Sequence, residues 1–161
     1  MAGEAVGIER WRVAVPVDVL TETVIARPSD QVAAYAGNPD NAPEWYENIT
    51  SVRWRTEPPL GVGSKLDLVA TFMGRTLSYT YAVVEYGPER MVMRTEQGPF
   101  PMETTYTWAG LDATHTRMTL RNRGEPSGFA KVAAPMMAAA MRRANTKDLA
   151  RLKRLLEAGR G

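Results

Sequence analysis

From Val17 to Arg123 apolar and polar residues largely alternate with a period of two, broken repeatedly by glycine- and proline-rich turns. Successive side chains of a strand point to opposite faces, so the alternation predicts strands with one dry and one wet face. The first spans 17–25 and is rich in β-branched residues. Arg27-Pro28-Ser29-Asp30 stops it, and Ser29 or Asp30 is placed to cap a short helix through Tyr35. Asn38-Pro39-Asp40-Asn41-Ala42-Pro43 is turn chemistry, and Pro43 suits an early helical position, which predicts a second short helix over 44–48. Six further strands are expected at about 49–57, 64–73, 75–86, 90–97, 102–109 and 114–123. Their separators include Gly74, Gly87-Pro88 and Gly110-Leu111-Asp112, most of them short enough for hairpins. An alanine-rich stretch with methionines at helical spacing then predicts one long helix over 127–158.

Strands joined by consecutive hairpins need no crossover, so the seven-stranded sheet is expected to be antiparallel and strongly curved. It can wrap the apolar side of the last helix, an α+β design that leaves room for a hollow. Strand parity assigns the inward faces. They carry Val52 and Trp54; Leu66, Leu68, Ala70 and Phe72; Leu77, Tyr79, Tyr81 and Val83; and Met91, Met93 and Thr95. The sixth and seventh strands add Met102, Thr104, Tyr106 and Trp108, and Thr116, Met118, Leu120 and Asn122. Met136, Met137 and Met141 are expected to converge on the same interior from the helix. Pro135, inside the helical pattern, is expected to kink it, rotating the stripe of Phe129, Ala133 and Met136 from that of Asn145, Leu149, Leu152 and Leu156.

This interior is apolar with polar tips. A core alone would favour aliphatics, because each buried phenol or indole N–H needs a partner. The candidate ligand-binding set is therefore Trp54, Leu68, Phe72, Tyr79, Tyr81 and Met93, with Tyr106, Trp108, Met118, Met136, Met137 and Met141. Methionine suits a pocket that adapts to its guest, although gap-filling in a plain core is its commoner use.

Composition narrows the chemistry. The chain has 161 residues, enough for one domain, here 17–158 behind an N-terminal extension, 1–16, that Trp11 can anchor. It has no cysteine and one histidine, His115, which removes disulfides, thiolate catalysis, zinc–thiolate sites and multi-histidine metal centres. No metal and no cofactor is expected. A net charge of +2 is no nucleic-acid footprint. No apolar run approaches the ~20 residues of a membrane helix. Glu4, Glu9, Arg10 and Arg12 interrupt any signal-peptide core, so the expected compartment is the cytoplasm.

Three segments carry a family likeness. Val24-Ile25-Ala26-Arg27-Pro28-Ser29-Asp30-Gln31-Val32, Asn41-Ala42-Pro43-Glu44-Trp45 and Pro59-Leu60-Gly61-Val62-Gly63-Ser64 occur in the order strand, two short helices, six strands, long helix. Together they resemble the START-like, or Bet v 1-like helix-grip, superfamily over about 17–158, and in particular its bacterial polyketide cyclase/dehydrase and lipid-transport members. The resemblance implies a deep cavity between sheet and last helix that takes lipids, sterols, polyketides or other hydrophobic molecules. A shared fold does not choose between carriers and enzymes.

No catalytic set is legible. His115 points outward beside a hairpin turn, Asp67, Glu96 and Glu103 fall on outward faces, and Glu44 reads as a loop carboxylate near the expected cavity mouth. Three readings stay open: a binding protein for a hydrophobic small molecule, a polyketide aromatase/cyclase or dehydratase using Tyr79, Tyr81 or Tyr106 as proton donor, and an interaction module. The last would work through outward arginines such as Arg53, Arg55, Arg117, Arg121 and Arg123. A carboxylate or histidine facing the cavity would favour the enzyme. A cavity of several hundred Å³ is expected for either small-molecule reading.

Overall fold

A computed structural model describes residues 17–126 and 133–160. The expectations placed on 1–16, on Trp11 and on Phe129 lie outside these residues. The strands are β1 (Val17–Ile25), β2 (Ile49–Trp54), β3 (Lys65–Phe72), β4 (Arg75–Tyr86), β5 (Arg90–Gln97), β6 (Met102–Asp112) and β7 (His115–Gly124). The helices are α1 (Ser29–Ala36), α2 (Ala42–Trp45) and α3 (Ala134–Leu155); Pro39–Asn41 forms a 3-10 turn before α2.

All seven strands form one antiparallel sheet in the order β1-β7-β6-β5-β4-β3-β2. Strands β2 to β7 run as consecutive hairpins, and β1 returns to pair with β7 from Val17↔Gly124 to Ile25↔Thr116. The register places inward residues side by side: Leu68 faces Tyr79, Leu66 faces Tyr81, and Met91, Tyr106 and Leu120 form one row across three strands. The β3–β4 hairpin turns on Met73 and Gly74, both with positive φ (51° and 75°), the two-residue turn whose twist matches the strands. The architecture is an α+β helix grip: a curled half-barrel closed by the long C-terminal helix.

Several local expectations shift. β6 runs on to Asp112, so the turn falls at 113–114; the Asp112 carboxylate accepts the Thr114 N–H (2.8 Å) and closes it. β2 stops at Trp54. Pro28, not Ser29 or Asp30, is the N-cap of α1, and no side chain caps it. The second helix begins at Ala42 and ends at Trp45, ahead of the expected 44–48. Pro135 stands in the first turn of α3, where its missing N–H costs no helical bond, and does not kink a helix interior.

Helix α3 lies along β1 and reaches into the main core with Leu149 and Leu152, followed by Leu156 just past its end, each essentially inaccessible. Its basic side chains also cover the free edge of β1. Arg142 donates to the Leu20 carbonyl (3.2 Å) and Lys153 to that of Val24 (2.8 Å), satisfying edge groups that would otherwise invite another strand. Among the described residues no helix is long and apolar enough to cross a membrane.

Candidate functional site

Sheet and helix stand apart over part of their length and enclose a cavity of about 160 Å³. This is smaller than the several hundred Å³ expected. Met91, Met93, Met102, Met141, Phe72 and Phe100 all project into its wall and take up space that backbone geometry alone leaves open. The partly exposed Asn38, Asn48, Thr71 and Phe72 lie at its rim.

Seven of the twelve candidate residues meet here: Leu68, Phe72, Tyr79, Tyr81, Met93, Tyr106 and Met141. Five do not. Trp54 lies at the sheet edge, where its indole N–H donates to Asp40 (2.7 Å) and ties β2 to the 3-10 turn. Trp108 and Met118 have the inward parity expected of them, but α1 packs over that end of β6 and β7 and fills the space. The Trp108 ring lies against Gly37, where a β-carbon would meet it at 3.1 Å and the Ala33 carbonyl at 2.6 Å. Met137 is buried with Val17, Val19 and Ala134 in a second cluster, packed behind the wall residues Phe72, Phe100 and Met141, and does not itself line the cavity. Met136 is 66% exposed, because one residue turns a helix by about 100° and carries it off the face that Met137 and Met141 share.

Polar groups in the wall form two connected sets. The Tyr46 and Tyr106 hydroxyls are 2.6 Å apart. Asn145 donates to Asn122 (2.7 Å), and Asn122 donates to Thr104 (2.9 Å). Thr104 and Asn122 are register partners of β6 and β7, and Asn145 reaches them from α3. Burial pushes the Tyr46, Tyr81 and Tyr106 phenols well above the usual tyrosine range, and that of Tyr79 up to about 12, so all four are neutral hydroxyls at physiological pH.

Asp148 is the charged group of the wall. It is 3% exposed and accepts the Glu47 backbone N–H (3.1 Å) through one carboxyl oxygen. No donor among the described residues bonds the other. Burial raises its pKa to about 6, against the lowering effect of the Glu47 N–H. A buried carboxylate is thus present where none was expected. Met141, Asn145, Asp148 and Leu152, spaced 4, 3 and 4, fall on one helix face. That spacing is the signal the sequence carries for Asp148, which otherwise stands among the basic residues of the helix. Tyr46, on the loop after α2, had no periodic pattern to reveal it.

The other carboxylates stay outside. Asp67 pairs with Arg55 (2.7 Å), Glu96 with Lys65 (3.1 Å) and Glu103 with Arg94 (2.8 Å). Glu44 is exposed and accepts the Tyr35 hydroxyl. His115 is on the surface beside Asp112 (3.0 Å). Much of the outward arginine set is neutralised: Arg121 forks onto Asp18 (2.8 and 2.7 Å), with Arg123 3.9 Å from the same carboxylate.

A half-barrel gripping a helix, with an apolar hollow between them, defines a class of protein, and the comparisons agree. The chain belongs to the polyketide cyclase/dehydrase and lipid transport family, whose model matches residues 16–157. No curated protein matches it significantly. Among solved structures it is similar to the protein TTHA0849 from Thermus thermophilus (TM-score 0.76, 20% identity, 88% of this chain and 99% of that one). It is also similar to the Zhui aromatase/cyclase from Streptomyces sp. R1128 (0.73, 20%, 88% and 97%). A START superfamily protein from Mycobacterium smegmatis follows (0.67, 19%, 88% and 94%). At these identities the likeness is one of fold.

Proposed function

We propose that the protein binds a hydrophobic small molecule, lipid- or polyketide-like, in the cavity between sheet and α3. The observation that carries this reading is one hollow with an apolar body and a few clustered polar groups in its wall. Apolar contact supplies most of the affinity, and the hydroxyls orient the guest. At about 160 Å³ the hollow matches a one- or two-ring body, and a longer guest leaves its tail at the rim. Native mass spectrometry of the purified protein tests this. A co-purified small molecule lost on denaturation is the expected result; a protein that neither carries nor takes up an apolar guest sinks the reading.

Asp148 favours a second reading, an aromatase/cyclase or dehydratase acting in the same cavity. Its carboxylate, with one oxygen unbonded and a pKa near neutrality, suits a general base. It would take a proton from a carbon flanked by carbonyls; the enolate carbon then forms a C–C bond to a second carbonyl. A neutral phenol such as Tyr106 or Tyr81 would donate a hydrogen bond to the oxygen that gains charge, and loss of water would follow. Incubation with a poly-β-ketone probe tests it. Cyclised product is expected from the wild type and at least a hundredfold less from Asp148→Asn. Equal turnover by the two removes Asp148 from the chemistry.

A further inference from the structure

The outward side of α3 carries a row of cations. Arg143, Lys147, Arg151 and Arg154 are spaced 4, 4 and 3, so they share one helix face, and all four are exposed. It is the face opposite Asn145 and Leu152, which are buried. No carboxylate among the described residues comes within 4 Å of any of the four, that of Glu47 on the neighbouring loop included. The sheet is built differently: Arg55, Lys65, Arg90, Arg94 and Arg121 each stand 2.7–3.2 Å from a carboxylate. The acids nearest in sequence are engaged elsewhere, Asp148 with the Glu47 N–H in the cavity wall and Glu157 with Lys153. Without the four cations the net charge of +2 would be −2, so the positive excess of the chain resides on one helix face.

Exposed apolar groups stand at one end of this row. Met136, 66% exposed, lies seven residues before Arg143 and eighteen before Arg154, close to two and five whole turns, and so is in line with both. Pro135 and Ala139 beside it are exposed as well. Met73, 50% exposed, is at the tip of the β3–β4 hairpin. Phe72 next to it packs against the cluster that Ala134 and Met137 form with Val17 and Val19, so the hairpin ends close to the start of α3. We propose that the outward face of α3, together with this hairpin tip, docks on an anionic lipid bilayer. The cations meet anionic headgroups over about 16 Å, the rise of eleven helical residues. The two methionines reach the apolar layer beneath. One flat surface, charged outside and apolar below, serves both groups although they stand on separate elements. A nucleic acid offers the methionines nothing, and an acidic helix seated on the row covers one element only. The contact is peripheral, since the apolar side of α3 is committed to the core. It does not depend on what the cavity holds.

The test sediments the full chain with vesicles of phosphatidylcholine alone or with roughly one-third phosphatidylserine, at about pH 7.5 and about 0.1 M salt. Binding to the anionic vesicles should be at least about tenfold tighter, and should fall by at least about fivefold at about 0.5 M salt. Each cation near the surface contributes about a factor of five, so Arg143→Gln with Lys147→Gln should weaken binding roughly 25-fold. Arg90→Gln with Arg94→Gln removes the same charge from the sheet and should stay within about twofold. Glutamine keeps helix propensity, and unchanged thermal melting shows that the variants fold. Met136→Ser and Met73→Asn, the latter tolerant of positive φ, should each weaken vesicle binding roughly three- to tenfold. Equal binding to the two kinds of vesicle, or an equal loss in the helix and sheet variants, overturns the proposal. Tighter binding to duplex DNA or poly-glutamate than to anionic vesicles, with no effect of the methionine changes, also overturns it and assigns the face to a nucleic acid or an acidic protein. No binding to either vesicle overturns it too, and leaves the cavity reading standing.

Discussion

The Asp148 carboxylate accepts the backbone N–H of Glu47 at 3.1 Å, joining α3 to the loop before β2 across 101 residues of sequence. The bond fastens the loop carrying Tyr46 to the helix that closes the cavity, and it orients a buried acid in the wall. Function and stability meet at this residue.

The pH dependence of stability follows. Burial raises the Asp148 pKa from 3.8 to about 6 in the folded chain. Between those values the unfolded chain has lost the proton while the folded chain still holds it, so stability falls as pH rises from about 4 to about 6. Above that the full cost of the buried charge is present. Asp148→Asn removes it and keeps an acceptor for Glu47. The variant should be more stable by roughly 2–3 kcal/mol at pH 8, with the gain vanishing by about pH 4. Urea unfolding of both proteins across this range checks it, and a gain that does not vary with pH would refute the titration.

Gly98 holds Tyr79 in place. A β-carbon there would lie 2.4 Å from the Tyr79 ring. Gly98→Ala should push the ring from its position in the cavity wall, costing about 1–3 kcal/mol of stability. In a Tyr79→Ala background the same change should cost under about 0.5 kcal/mol. A double-mutant cycle reads the coupling, and additive costs would mean that the contact is not what requires glycine.

Asn145 is buried and donates to Asn122 (2.7 Å). Asn145→Leu leaves the Asn122 carbonyl without that donor, so a loss of about 1–3 kcal/mol is expected in thermal or urea unfolding. Unchanged stability would show the bond to be idle.

His115 is on the surface, bonded only to its own turn neighbours Asp112 and Thr114. His115→Ala should leave guest binding and any turnover within about twofold of wild type. A loss of two orders of magnitude with the fold intact would place the histidine in the chemistry.

Strand number, order and face were legible in the chain because period-two alternation is a local property. The burial pattern of β1, the parity of Leu66 and Leu68 and the inward line of Tyr79 and Tyr81 all follow from which neighbours are apolar. Seven of the twelve candidate cavity residues follow from the same rule. Turn positions were legible where glycine or proline punctuates, and they shifted at Gly110–Asp112, where a register irregularity absorbs the glycine into β6.

What parity could not supply is depth along the groove. Trp108 and Met118 face inward as their alternation requires, yet α1 fills their end of the sheet, and nothing in either strand records where another element will pack. The helix adds a second limit. An aspartate among arginines and lysines reads as solvated until the helix is docked, and only docking decides that the Met141–Asn145–Asp148–Leu152 face meets the cavity. Cavity volume is a small difference between a large space and the side chains that enter it. The sequence by itself therefore determined which residues could share a face, through the fixed geometry of strand and helix. Tertiary packing decided which shared faces enclose a hollow, because that depends on contacts between segments far apart in the chain.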